Sequence, residues 1–262
     1  MFEFSRYYGQ RRVKGSVALT GGLAVLTGLY VYMFPTFSTN LDLDAYLESF
    51  PPALREAFGL QSLGTIEGFL SAELYAFGWV LLLGLYLAYS AASLIADDVE
   101  DGRMDMLLAL PVSRSKVILE KFSALLVPIL IVNIVMPVVV YVGVLAIGES
   151  ISVADLLMVH LLSIPYLLTT AAVGLVASVV FDRTSIAQRA AMGVVFGLFL
   201  VESVVTDTDF SALGGLSPTR YYDPTAVLVN SQWDLSGGVV LLVAALALVL
   251  VGRALFQRKD IT

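Results

Sequence analysis

Six long apolar stretches constrain this chain more than any other feature of its sequence. A helix needs about 20 mostly apolar residues to cross the hydrocarbon core of a bilayer. Charged residues make up only 14% of the chain, too few to cover a water-facing surface. The sequence therefore predicts an all-α integral membrane protein, a single transmembrane domain over residues 1–262. Its six predicted transmembrane helices are Val17–Phe37, Leu74–Ala96, Phe122–Ile147, Leu156–Phe181, Ile186–Val205 and Gly237–Phe256.

Positive charges mark one side of the membrane. The N-terminal segment, the 97–121 connection, the fourth connection and the tail carry thirteen of the fifteen Lys and Arg residues. The remaining connections, among them 38–73 and 206–236, contain only Arg55 and Arg220. Because Lys and Arg accumulate in cytoplasmic loops, this alternation predicts that both termini are cytoplasmic. We therefore expect a multi-pass protein of the cell membrane, with 38–73 and 206–236 as outer loops.

The outer segments are strongly acidic. They carry twelve Asp and Glu residues against those two arginines, and Arg outnumbers Lys over the whole chain. One interpretation is a surface that binds cations. The interpretation that we favour is a halophilic source, because high salt screens the repulsion between acidic groups.

Two segments outside the spans are amphipathic. Phe2–Val13 mixes aromatic and basic residues before the first span, which predicts an interfacial helix on anionic membrane lipid. Leu41–Phe58 places apolar residues at helical spacing around Pro51 and Pro52. That spacing predicts two short helices on the outer face of the membrane.

Several classes of function are disfavoured by residues and motifs that the sequence lacks. The chain has no Cys and a single His, His160, so a thiolate or histidine metal centre is not expected. A net charge of −7 provides no broad basic face for nucleic acid. The Gly-x-x-x-x-Gly-Lys-Ser/Thr phosphate loop is absent, so we do not expect this chain to hydrolyse ATP by that mechanism.

Polar residues inside the spans have two interpretations. Asn133 and Pro137 in the third span could line a substrate path at a hinge, or Asn133 could hydrogen-bond across a helix interface in a bent helix. Glu202 could contact substrate, or it could reach the outer interface, because a carboxylate is costly within hydrocarbon. We favour the structural interpretation of Asn133, and we expect His160 to be a hydrogen-bonded packing residue.

The 97–121 connection contains a short amphipathic segment. Pro111 ends its predicted helix, and Ser113 can cap the helix that continues into the third span. The apolar positions that share one helical face are Val99, Met106, Leu107 and Leu110. An apolar stripe with a charged rim suits docking into a groove on a soluble partner. Its five acidic residues disfavour simple contact with an anionic leaflet.

The same segment resembles a motif of the ABC-2 family of ABC transporter permeases. The matching residues are Glu100-Asp101-Gly102, Leu107-Leu108-Ala109-Leu110 and Pro111-Val112-Ser113-Arg114, with Leu216-Ser217-Pro218, Tyr221-Tyr222-Asp223-Pro224 and the tail from Phe256 to Ile261 farther along. The family pattern often has Thr-Leu-Glu after the glycine, where this chain has Arg103-Met104-Asp105. With the long first outer loop and the six spans, the resemblance covers essentially the whole chain.

This resemblance implies a permease fold with an interfacial N-terminal helix and a cytoplasmic coupling helix. The chain would be the non-catalytic membrane subunit of an exporter. A separate ABC ATPase subunit would dock on the coupling helix and bind ATP and Mg²⁺, while this chain would bind no cofactor itself. A second permease chain, identical or related, would complete the membrane part.

The resemblance also implies which residues couple the two subunits. We expect Met106, Leu107 and Leu110 to fill an apolar groove on the ATPase. Glu100 and Arg114 would contact its polar rim or hold the ends of the helix. The full predicted set is Asp98, Glu100, Asp101, Gly102, Met106, Leu107, Leu110, Pro111, Ser113 and Arg114.

An alternative interpretation of the acidic residues is an enzyme. The stretch Asp97–Asp101 fits the Asp-Asp-x-x-Asp pattern that binds Mg²⁺-diphosphate in prenyl transfer. Membrane prenyltransferases place two such motifs on separate helix pairs in a longer bundle, whereas here the acids share one loop. Mg²⁺-dependent activity of the isolated chain would favour the enzyme, and co-purification with an ATPase would favour the permease.

Overall fold

The computed structural model describes residues 3–40, 50, 51, 55, 63–109, 111–205 and 208–260. Six of its helices are long and apolar enough to cross a membrane, and each predicted span falls on one of them, which confirms the predicted fold class. In chain order the helices are α1 Glu3–Asn40, α2 Ile66–Leu70, a π-helix Ser71–Leu83, α3 Gly84–Ala92, α4 Ala96–Glu100, α5 Arg103–Leu108, α6 Arg114–Ser123, α7 Leu126–Ala146, α8 Val153–Val180, α9 Thr184–Val205, α10 Ser211–Gly214, a 3-10 helix Pro218–Tyr221, α11 Pro224–Leu228 and α12 Leu235–Arg258.

The first span is part of one continuous helix, α1. The basic and aromatic segment predicted as an interfacial helix is helical, and it runs into the span without a break. Ser16 and Thr20 donate their hydroxyl groups to the carbonyl groups four residues earlier, at distances of 2.8 Å, so these polar side chains are satisfied within the helix. The two short helices predicted within Leu41–Phe58 lie almost entirely outside the described residues.

The second span begins earlier than predicted, at Ile66 rather than Leu74. Thr65 caps its first turn by accepting a hydrogen bond from the Gly68 amide at 3.2 Å. The span then widens into the π-helix before α3 continues it. Long π-helices are rare, and short ones occur often at functional sites. No periodicity in the sequence signals this one.

The third span consists of two helices, α6 and α7, separated by Ala124 and Leu125. Pro128 explains the break, because its ring lacks an N–H and clashes with the carbonyl group four residues earlier, that of Ala124. The predicted span starts at Phe122, inside α6. The helix itself starts at Arg114, where Ser113 caps it by accepting from the Lys116 amide at 3.2 Å. The predicted capping role of Ser113 is therefore seen in the structure.

The fourth span, α8, lies at the centre of the bundle and packs against α3, α7, α9 and α12, while α1 packs against α7. The approach of α8 to α3 depends on a glycine. A Cβ atom added at Gly174 would lie 2.9 Å from the Cβ atom of Ala91, closer than such atoms are found. The second span, which leads into the 97–121 connection, is thereby held directly against the core.

Candidate functional site: the loop between the second and third spans

The loop between the second and third spans contains two short helices where the sequence predicts one. Helices α4 and α5 meet at Gly102, whose φ of 67° lies in the left-handed region that glycine adopts without strain. The prediction of one helix is therefore wrong, because it treats Gly102 as a helical position. Pro111 follows the end of α5, as predicted, and Leu110 lies outside the described residues.

The apolar residues of this loop do not share one exposed face. Met106 is 67% exposed, whereas Leu107 is half-buried and packs against the core of the bundle. Val99 is also half-buried against the core. The residue that anchors α5 is Met104, which is fully buried and was not among the predicted site residues. Because of the bend at Gly102, the helical spacing counted from Val99 does not continue into α5.

Arg103 holds the acidic stretch together. Its guanidinium group lies 2.6 Å from Asp97, 3.0 Å from Asp98 and 2.7 Å from Asp101. The hydrogen bond to Asp98 contributes most to raising the pKa of Arg103 above its ordinary value. Within the described residues no three Asp, Glu or His side chains are placed to hold one metal ion. The three aspartates of the proposed diphosphate motif, Asp97, Asp98 and Asp101, instead surround the guanidinium group of Arg103.

Asp98 faces inward as well as toward Arg103. It forms an ion pair with Lys121 of α6, and the exposed fractions of the two side chains are only 9% and 4%. Lys121 also donates to the carbonyl oxygen of Leu94 at 2.8 Å. Asp98 was predicted as a contact for a partner, but this geometry places it between the loop and the third span. Asp101, in contrast, remains half-exposed on the loop.

The loop is attached to spans that are distant in sequence. Glu100 accepts a hydrogen bond from the backbone amide of Thr184 at 2.8 Å, at the start of α9. The Ser178 hydroxyl, near the end of α8, accepts from the amides of Ile95 and Ala96 at 2.7 and 3.0 Å. Arg114 donates to the Phe256 carbonyl at 3.1 Å, in the last turn of α12. The loop is therefore fixed to the C-terminal ends of the fourth and sixth spans and to the N-terminal end of the fifth.

Three residues of this site escaped prediction from the sequence. Arg103 stood out only as a departure from the family pattern, although a lone cation among five acids is a signal for an ion-pair centre. Lys121 lies at the predicted start of a span, where a lysine ordinarily reaches toward the interface. Met104 carries no local signal, because its burial depends on the bend at Gly102.

A hydrogen-bonded network lies inside the bundle around Asn133, one of the residues considered for a substrate path. Asn133 Oδ1 accepts from Ser163 Oγ at 2.7 Å and lies 3.1 Å from His160 Nδ1. On the other side of the imidazole ring, the Tyr75 hydroxyl is 2.9 Å from Nε2. Trp79 Nε1 donates to Ser163 at 3.2 Å. All five side chains are buried.

This network joins the π-helix to the third and fourth spans. Tyr75 and Trp79 belong to the π-helix, Asn133 to α7, and His160 and Ser163 to α8. The contacts of Asn133 and His160 are those that the structural interpretation of these residues expects. Buried polar groups that satisfy one another hold helices in one register, because each would be costly without its partner.

The two other residues considered for a substrate path lie apart from each other. Pro137 is buried inside α7. Glu202 is half-buried near the C-terminal end of α9. A Cβ atom added at Gly214 would lie 2.9 Å from Glu202 Cδ and 3.0 Å from an Arg220 guanidinium nitrogen, so these three residues are neighbours. Glu202 thus lies against the connection between the fifth and sixth spans.

Comparison with protein families identifies one match. Residues 30–261 match the family model described as ABC-2 family transporter protein. The match covers all of the described loop and its attachments, the interior network and the last part of the first span. No curated protein sequence matches the chain.

Proposed function

The chain belongs to the ABC-2 family of transporter proteins and is a transmembrane permease of an ABC transporter, and we propose that a separate ATPase subunit drives it by docking on the 96–109 loop. The substrate would move out of the cell, as the family resemblance implies. The observation that carries this proposal is the loop itself: Met106 is exposed on α5, and the residues just before α5 are attached to the third, fourth and fifth spans. Arg114, just after the loop, is attached to the sixth span.

The proposal divides the predicted coupling residues into two groups. Met106 is the contact, because its side chain is apolar, exposed and on the cytoplasmic loop. Leu107 contributes less, since the bundle already covers part of it, and Leu110 remains a predicted contact. The others shape or attach the loop: Asp98, Glu100, Asp101, Gly102, Pro111, Ser113 and Arg114.

ATP and Mg²⁺ would be bound by the ATPase, and this chain would be non-catalytic. A second permease chain, identical or related, would complete the membrane part. A substrate path along Asn133, Pro137 and Glu202 remains a proposal for that assembly. Anionic lipid would contact the basic N-terminal end of α1.

The test of this proposal is co-purification. The chain, carrying an affinity tag in its own cells, is extracted in mild detergent, and the mass of the complex that it purifies with is measured. We expect two permease chains and two ATPase chains. ATP hydrolysis should be lost when the lysine of the ATPase phosphate loop is replaced. Robust ATP hydrolysis by the permease chain alone, or a mass that contains no ATPase, would contradict the proposal.

The proposed orientation has its own test, because the chain contains no cysteine. Single cysteines at Arg183, Glu149 and Asn230, all exposed, report on the two sides of the membrane. With both termini cytoplasmic, a membrane-impermeant maleimide added to intact cells should label Glu149→Cys and Asn230→Cys. Arg183→Cys should react only after the membrane is opened. Labelling of Arg183→Cys in intact cells would invert the topology.

A further inference from the structure

The last span ends on a cluster that we call the tail clamp, formed by Arg114, Ser115, Phe256 and Lys259. An Arg114 guanidinium nitrogen donates to the Phe256 carbonyl at 3.1 Å and also to the Lys259 carbonyl. The guanidinium carbon lies 5.8 Å from the centre of the Phe256 ring, within range of a cation–π contact. The ring itself is fully buried.

Arg114 caps α12 from outside that helix. The last four carbonyl groups of a helix have no partner within it, and they attract cations. Arg114 supplies such a cation from a residue 142 positions earlier in the chain. Ser115 adds a second attachment, because its hydroxyl group accepts from Arg253 at 3.0 Å and from Gln257 at 2.7 Å.

The tail clamp also reaches the fourth span. Lys259 Nζ donates to the Val179 carbonyl at 2.7 Å and pairs with Asp182 at 2.6 Å, both at the cytoplasmic end of α8. The clamp therefore joins the ends of the third, fourth and sixth spans. Arg114 is the first residue of α6 and follows directly on the loop that receives the ATPase in the proposed function.

From this arrangement we infer that Arg114 is a positioning residue that makes the sixth span move with the cytoplasmic loop. The inference rests on the proposed function. When the ATPase displaces the loop, Arg114 moves with α6 and carries the last turn of α12 through its two carbonyl bonds. Arg114 thus acts within the chain, and the ATPase is held elsewhere on the loop.

Hydrogen–deuterium exchange of the complete transporter, measured by mass spectrometry, distinguishes a residue that positions the sixth span from a residue that contacts the ATPase. Exchange is compared between the nucleotide-free state and the state trapped with ATP, Mg²⁺ and vanadate. In the unmodified complex we expect changes in peptides covering both the loop, 96–109, and the last turn, 253–260. In the Arg114→Gln complex, exchange in the loop should still change between the two states, whereas exchange in residues 253–260 should not. ATP hydrolysis by the complex in lipid vesicles should fall about tenfold, as for the loss of a charged hydrogen bond.

Three further variants serve as comparisons. Arg114→Lys retains the charge but loses the planar guanidinium group with its several N–H donors, so we expect a change in exchange at residues 253–260 that is intermediate between those of the unmodified and Arg114→Gln complexes. Ser115→Ala removes two hydrogen bonds of the tail clamp while sparing Arg114, so it should loosen the tail yet preserve its response. Lys116→Gln removes a nearby, 40% exposed cation that pairs with Glu120, and it should change neither readout.

Two results would overturn the inference. One is a nucleotide response at 253–260 that persists in Arg114→Gln. The other is loss of the ATPase from the Arg114→Gln complex, which would make Arg114 a direct contact. If instead the unmodified chain binds no ATPase, the proposed function fails first and this inference fails with it.

Discussion

Replacing Asp98 with leucine is expected to lower the free energy of unfolding by about 3–5 kcal/mol, the loss found when one member of a buried ion pair is removed. The substitution leaves Lys121, whose side chain is 4% exposed, without the carboxylate that faces it. It also removes the hydrogen bond from Arg103 Nε at 3.0 Å. The measurement is equilibrium unfolding of the solubilised chain in mixed micelles, with the helical signal followed as denaturing detergent increases.

Two further variants test the cause of this loss. Asp97→Leu removes a neighbouring aspartate whose side chain is 53% exposed and which also pairs with Arg103. Because exposed pairs contribute about 0–1 kcal/mol, it should change the free energy of unfolding little. The double variant Asp98→Leu with Lys121→Met should recover most of the lost stability, since apolar residues often replace a buried ion pair without loss. Equal losses in Asp97→Leu and Asp98→Leu would contradict the buried pair.

Replacing Met106 with aspartate is expected to weaken the binding of the ATPase to this chain. Interface anchors contribute about 2 kcal/mol or more, so the affinity of the ATPase should fall roughly 30-fold or more. Met106 is 67% exposed, so its replacement should leave the chain itself folded. The measurements are the amount of ATPase that co-purifies and the stimulation of its activity by substrate in vesicles.

The control variants distinguish a docking contact from a packing contact. Met106→Leu retains an apolar side chain and should bind the ATPase nearly as well as the original. Leu107→Ala should reduce the stability of the chain more than its binding, because Leu107 packs partly against the bundle. Normal coupling in Met106→Asp together with lost coupling in Leu107→Ala would place the docking contact on Leu107 instead.

Some parts of the candidate site could be predicted from local sequence. The cap at Ser113 and the helix end before Pro111 follow from the chemistry of single residues. The packing role expected for Asn133 and His160 follows from the cost of a lone polar group in hydrocarbon, although their bonds to Ser163 and Tyr75 could not be named beforehand. The bend at Gly102 was missed because an isolated glycine is also tolerated inside a helix.

The number and approximate places of the spans were determined by the sequence alone, because crossing hydrocarbon requires a continuous apolar segment, and that property is local. The tertiary structure alone decided which charged residues are buried and which helix ends are joined. Asp98 and Asp97 are adjacent and chemically identical, yet only Asp98 faces Lys121. The bond from Arg114 to Phe256 joins residues 142 positions apart. Such contacts depend on how the helices pack around α8, and no pattern within one segment specifies that packing.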